Sequence, residues 1–229
     1  MGHQLDPEFE PYFKLGISVT LVLYGFEDGH LKIYIQKITK NPYAGAWALP
    51  GVLIKPHEGL ETKSKEIAQE AIGNGDVFLE QLNAFGKIYR HPVGRVIDIA
   101  FYGLINMQSD IHDQRKDKES KWVSVKKVPE LAYDHNEIFT LSRQRLKRRL
   151  INRPIGFKLL PKEFTLNEMQ QLYEQILGHP LDKRNFRKKL TKLNVLIAKG
   201  HEKNDGPGRK PRLFMFNEDR YSHYMEQGF

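Results

Sequence analysis

The chain of 229 residues contains no cysteine. Disulfides, thiolate metal sites and cysteine nucleophiles are therefore excluded. No apolar run approaches the ~18 residues that cross a bilayer. The first residues, Met1-Gly2-His3-Gln4-Leu5-Asp6, have neither the basic nor the apolar segment of a secretory leader. These absences point to the cytoplasm and away from a membrane partner. Internal repeats and low-complexity tracts are missing too. Apolar residues make up 40% and charged residues 28%, an ordinary globular balance that excludes wholesale disorder. At roughly 100–200 residues per domain, the length suits one large domain or two modest ones.

Charge is present but unevenly spread. The net value is +8, of which residues 1–150 supply +2 and residues 151–229 supply +6. A basic run, Arg143, Arg145, Lys147, Arg148 and Arg149, sits just before the change. A basic C-terminal third points to a polyanion partner, most often nucleic acid.

Hydropathy patterning divides the chain in the same place. Ile17–Tyr24 and Leu31–Gln36 are β-branched or alternating and predict two strands around the turn Glu27-Asp28-Gly29-His30. Leu60–Ala71 predicts a helix ended by Gly73-Asn74-Gly75. Further strands are expected at Phe85–Tyr89, Val96–Ile105 and Trp122–Val125, with an exposed loop over 108–119. A long basic helix is expected at Asn136–Leu150. Strands interleaved with helices predict one mixed α/β domain over residues 1–152. Asn152-Arg153-Pro154-Ile155-Gly156 is a natural boundary, and residues 153–229 form a second unit.

That second unit opens on a capping box, Thr165-Leu166-Asn167-Glu168. Leu166, Met169, Leu172, Tyr173 and Ile176 then recur at helical spacing until Gly178-His179-Pro180. Asp182 can cap the next helix, whose Phe186, Leu190 and Leu193 share one face. Val195–Ala198 and Leu213–Phe216 flank a basic loop and read as a hairpin. Two helices joined by a short turn, the second basic, outline a helix-turn-helix, and the hairpin makes it winged. Its apolar face packs inward, and the opposite face fits a major groove. Candidate DNA-binding residues are Arg184, Asn185, Arg187, Lys188 and Lys192 on the second helix. Arg209, Lys210 and Arg212 on the wing would take phosphates or the minor groove. The expected ligand is double-stranded operator DNA. A single-stranded RNA binder would instead carry an aromatic platform interleaved with basic residues.

Upstream, Trp47-Ala48-Leu49-Pro50-Gly51 through Glu58 resembles the start of a Nudix box, G-x5-E-x7-R-E-U-x-E-E-x-G-U. In that family the helix carboxylates hold Mg²⁺. Here the first glycine falls on Val52. Glu58 takes the first glutamate position, and the later positions become Glu66-Ile67 and Glu70-Ala71. A shift of one residue does not restore the set. Glu66 and Glu70 remain as residual metal candidates, and no catalytic residue or cofactor is assigned beyond that weak Mg²⁺ possibility. No His/Asp/Glu cluster has metal-ligand spacing, so His57, His91 and His135 read as ordinary polar residues. Arg90–Phe101 and Ala132–Ile138 resemble other parts of ADP-ribose-type Nudix domains.

Taken together, the chain resembles the Nudix-related transcriptional regulators. The resemblance implies a Nudix-like α/β/α sandwich with a mixed sheet, followed by a winged helix-turn-helix. It implies a homodimer on a palindromic operator and a small-molecule effector, either a sugar such as arabinose or an ADP-ribose-like nucleotide. The eroded box resembles the sugar branch more closely. Trp47, Glu58 and Arg90 are the candidate effector-binding residues. The alternative is an active Mg²⁺-dependent Nudix hydrolase of a nucleoside-diphosphate-linked substrate.

Overall fold

Strand β1 (Gly16–Glu27) is an almost unbroken apolar run because the folded chain covers both of its faces. The computed structural model describes residues 14–73, 75, 77–107, 119–152, 155–201 and 211–220. In it β1 is followed by β2 (His30–Lys37), β3 (Trp47–Ala48), β4 (Gly51–Leu53), α1 (Leu60–Ile72), β5 (Phe78–Phe85), β6 (Val96–Asn106), β7 (Ser120–Ser124) and α2 (His135–Asn152). The strands form one mixed sheet in the order β3-β2-β1-β6-β5, with β4 added to β1 and β7 to β2. β1 runs parallel to β6 and antiparallel to β2 and β4. Asp28 and Gly29, at φ 50° and 73°, make the tight turn of the β1–β2 hairpin. That left-handed pair matches the strands' twist and is why glycine sits there.

Alternation along β1 divides the core. Val19, Leu21 and Leu23 pack with Ile67, Ala68 and Ile72 of α1. Val22, Tyr24 and Phe26 pack with Ile138, Leu146 and Leu150 of α2. The result is the expected α/β/α sandwich. The Tyr24 hydroxyl meets Ser142 Oγ at 2.6 Å inside the second layer. Ser142 donates to the Phe139 carbonyl, so the tyrosine is the donor of the pair.

One strand is displaced from its expected place. β5 covers Phe78–Phe85, whereas the sequence pattern pointed to Phe85–Tyr89. Pairing with β6, from Phe78↔Leu104 to Phe85↔Asp98, sets the strand's position. Ile88 and Tyr89 instead lie in the following loop, 64% and 92% exposed. Strand propensity yields to the available partner edge.

Beyond α2 come a 3₁₀ turn (Ile155–Leu159), β8 (Phe164–Thr165), α3 (Leu166–Leu177), α4 (Lys183–Leu193), β9 (Leu196–His201) and β10 (Arg212–Phe216). β8, β10 and β9 form a separate antiparallel sheet. The capping box forms as expected: Glu168 N donates to Thr165 Oγ1 and Thr165 N donates to Glu168 Oε2. Gly178 closes α3 in the left-handed region at φ 82°. Asp182 Oδ1 accepts from Asn185 N at 2.7 Å and starts α4. These elements are the helix-turn-helix and wing.

The pattern change near residue 152 is not a break in the core. Met169, Leu172 and Ile176 of α3 and Phe186 and Leu190 of α4 belong to the same buried cluster as Val22, Tyr24 and Ile138. Gly156 permits the close approach. A Cβ there would lie 2.9 Å from Leu150 Cδ1 and 3.2 Å from Tyr173 Cε2. Among the described residues, no helix is long and apolar enough to cross a membrane.

Candidate effector cleft and DNA-binding surface

A cleft of about 280 Å³ lies between the β1–β4 edge and the segment that leads into α2. Its wall includes Thr20, Gln36, Lys37, Arg90, Tyr133 and His135. Arg90, in the loop after β5, is nearly buried and grips Asp134 with two hydrogen bonds. Nε reaches Oδ2 at 2.8 Å and Nη2 reaches Oδ1 at 2.6 Å. This fork is the strong form of an arginine–carboxylate pair. The same Nη2 lies 3.9 Å from Oδ2 of Asp98 on β6, which is fully buried. Asp98 Oδ1 accepts from Ser18 at 2.6 Å and Thr20 at 2.8 Å. Burial raises the Asp98 pKa, while the two hydroxyls and Arg90 act in the opposite direction.

The backbone beside this pair is equally constrained. His135 Nδ1 accepts from Leu49 N at 3.1 Å, and burial pushes its pKa down to about 4. The ring is therefore neutral at pH 7, which also suits its place at the positive end of α2. Tyr133 has φ 57°, unusual for a residue with a side chain. Its ring is half-buried, stacked on His91 at 5.4 Å and edge-on to Tyr43 at 4.6 Å. A second recess of about 180 Å³ shares Gln36, Gly51 and Val52 with the cleft and includes Lys63 and Glu70.

The three residues expected to meet an effector are not brought together. Arg90 lines the cleft, but its fork is spent on Asp134. Trp47 lies on β3 just before the lining residues Ala48 and Leu49. The ammonium groups of Lys121 and Lys37 sit 4.1 and 5.6 Å from the Trp47 ring. Glu58 pins the loop before α1 instead. It accepts from Lys55 N at 2.8 Å and pairs with Lys63 at 2.9 Å. Hydrogen bonding to Lys63 and the Lys55 amide lowers its pKa. Lys63 also pairs with Glu66 at 2.7 Å, while Glu70 faces the smaller recess. Among the described residues no group of three His, Asp or Glu side chains is placed to hold a metal ion. Tyr133 and His135 line the cleft without having been singled out for it, and the role of the buried Asp98 behind Arg90 also escapes the sequence pattern. The segment Ala132–Ile138 could be recognised, but no periodicity reveals a left-handed backbone.

The winged module presents a basic helix. Arg184, Asn185, Lys188 and Lys192 are exposed on α4, opposite Phe186 and Leu190. Arg187 is half-buried and donates to Asn167 Oδ1 of α3 at 3.1 Å, so it braces the two helices. Arg212 is exposed on β10. Arg209 and Lys210 lie outside the described residues. Glu174 Oε1 accepts from Gln170 and from Leu181 N, both at 2.9 Å, and so fixes the turn between α3 and α4. The winged module is tied back to the 3₁₀ turn and to α2. Phe157 stacks on Phe216 at 3.5 Å, Lys158 pairs with Glu218 at 2.7 Å, and Lys147 of α2 donates to the Leu177 carbonyl of α3 at 3.0 Å.

Residues 156–216 match the family described as NrtR DNA-binding winged helix domain. The chain is 28% identical over 204 residues to the "ADPR responsive transcriptional repressor NtrR" of Acinetobacter baylyi, covering 87% of this chain and 81% of the relative. It also superposes on Shewanella oneidensis NrtR complexed with a 27mer DNA, with a TM-score of 0.77 and 26% identity over 90% of this chain and 95% of that one. The C-terminal module thus matches the NrtR winged helix, and the chain is similar to NrtR regulators along most of its length. An NrtR-like chain joins a Nudix-like domain to a DNA-binding winged helix in a transcriptional regulator, the order seen here. The Nudix half alone aligns with the NUDIX domain of Shewanella oneidensis NrtR complexed with ADP ribose, at a TM-score of 0.51 and 26% identity, covering 62% of this chain and 94% of that one.

Proposed function

We propose that this chain is a cytoplasmic, ADP-ribose-responsive transcriptional repressor that binds a palindromic operator as a homodimer. The observation that carries the reading is the run of α2. It begins at the cleft with His135, just after the Arg90-bound Asp134, and meets the winged module where Lys147 donates to the Leu177 carbonyl. A ligand seated in the cleft therefore touches the helix that buttresses the DNA-binding unit. The names of the relatives favour ADP-ribose as the effector, and the arabinose-type sugar expected from the eroded box has no counterpart in them. Arg184, Asn185, Lys188 and Lys192 are assigned to the major groove, and Arg212 with Arg209 and Lys210 to the wing contacts. The Glu58–Lys63 and Glu66–Lys63 pairs occupy carboxylates that a metal would otherwise need, and so favour sensing over hydrolysis.

The test is fluorescence anisotropy on a duplex selected from random DNA, repeated with ADP-ribose and with arabinose. ADP-ribose should lower the affinity by roughly 5–150-fold, the span of ordinary allosteric coupling, and arabinose should leave it unchanged. Binding that responds to neither ligand would overturn the effector assignment. Absence of any enriched duplex would overturn the operator reading itself.

A further inference from the structure

We propose that Tyr133, with His91 and Tyr43 beside it, is the surface on which the heterocyclic base of the effector stacks. The proposal rests on the ADP-ribose reading above and names the part of the cleft that would recognise the base.

Tyr133 adopts φ 57°, a region that glycine or asparagine enters at far less cost than a bulky residue. Such strain persists only where the surroundings over-determine it, and it concentrates at ligand sites. The surroundings here do so. On one side Leu131 and Ala132 are buried, and Ala132 N donates to the Trp47 carbonyl at 2.8 Å. On the other, Asp134 is held by the Arg90 fork and His135 by the Leu49 amide. With both flanks fixed, the left-handed turn directs the Tyr133 ring into the cleft wall rather than the core, and it stays half-buried there.

The neighbours define the kind of ligand. Three aromatic rings surround Tyr133: Tyr43 at 4.6 Å, His135 at 5.3 Å and His91 at 5.4 Å, the last stacked with its plane only 12° from parallel. Such a cluster suits a flat π-system. The strongest polar groups of the wall are already committed, since Arg90 serves Asp134 and the Ser18 and Thr20 hydroxyls serve Asp98. Gln36, Lys37 and Lys40 complete the lining. An aromatic surface and cationic side chains in one cleft match a ligand that carries both a planar base and an anionic chain.

The full-length chain and its Tyr133→Phe and Tyr133→Gly variants would be titrated calorimetrically with ADP-ribose, AMP and ribose 5-phosphate. Thermal melts would accompany each titration. Glycine accepts the native backbone without strain, so the Tyr133→Gly variant folds even though the ring is gone. Expected is a 5- to 150-fold loss of ADP-ribose and AMP affinity in Tyr133→Gly, the range that base–aromatic stacking gives. Tyr133→Phe should bind as the parent does, and ribose 5-phosphate, which lacks a base, should bind all three proteins equally. Undiminished ADP-ribose binding by Tyr133→Gly, or equal losses for ligands with and without a base, would overturn the stacking role. If the parent takes AMP but not ADP-ribose, the base platform stands and the ADP-ribose reading falls. If it takes neither, both fall.

Discussion

Replacing Arg90 with methionine would leave two carboxylates facing each other without their shared cation. The side chains of Arg90, Asp134 and Asp98 are only 3%, 9% and 0% exposed. Water cannot take over the role of the guanidinium. Removing one partner of a buried pair costs ~3–5 kcal/mol, because the surviving charge stays buried. For a chain of this size that corresponds to a fall in melting temperature of ~6–20 °C. The deficit should also depend on pH, and its sign follows from Asp98. Burial already raises that carboxyl's pKa, and Arg90 is one of the groups opposing the rise. Without Arg90 the folded-state value climbs further. A carboxyl whose folded pKa exceeds its unfolded one favours folding when protonated and penalises it as pH rises. The penalty in Arg90→Met should therefore be largest near neutrality and shrink toward pH 5. Adding Asp98→Asn should recover part of it at pH 7. Urea denaturation of the parent, Arg90→Met, Asp98→Asn and the double variant at pH 5 and 7 measures every leg. A deficit below ~1 kcal/mol at pH 7, or one identical at both pH values, would refute the buried-triad argument.

Further outcomes are expected at the cleft, the cap of α3 and the winged module. His135 is neutral down to about pH 4, whereas an unfolded histidine titrates near 6.5. Between those values the unfolded chain binds the extra proton, so stability should fall by ~2–4 kcal/mol as pH drops. Melts of His135→Gln over the same range should show that limb flattened. Thr165→Ala removes the cap acceptor of α3 and should cost ~0.5–2 kcal/mol in urea denaturation. On selected duplex DNA, Arg184→Ala should lose ~1–3 kcal/mol if it reads a base, and Lys188→Ala should lower the salt slope by about 1 if it meets phosphate. Arg187→Ala should instead show up in stability, since its guanidinium reaches Asn167 rather than solvent alone.

The contrast between Arg184 and Arg187 shows what the sequence could disclose. Helical spacing identified Phe186 and Leu190 as the inner face of α4, and both are buried. It could not show that Arg187, one position from that face, turns back to Asn167 on another helix. The Thr165–Glu168 capping box and the Asp28-Gly29 turn were legible because their signals are local. β5 was not, because a long-range register with β6 decides where it lies. The cleft suffered most. Arg90 lies on its wall, but its partner Asp134 is 44 residues away in the chain. Glu58 matched a motif position, yet its two contacts, the Lys55 amide and Lys63, make it a loop anchor. Motif spacing records where a side chain is, while its partners determine what it is free to do.

α2 sets a scale for how far a small disturbance travels. Its 18 residues make a rod of ~27 Å, held against the sheet by the Tyr24–Ser142 bond and by Arg145 and Arg149 on Glu80. Pivoted at Asp134, such a rod turns a tilt of ~5° into a displacement of ~2 Å at its far end. That is the amplitude at which packed helix interfaces change arrangement. The far end is where Lys147 holds the last turn of α3, immediately ahead of the recognition helix. Were an effector to shift the Arg90–Asp134 pair, as the proposed function requires, this lever would enlarge the movement before it reached the surface of α4. The gain is written into the length of one helix rather than into any flexible joint.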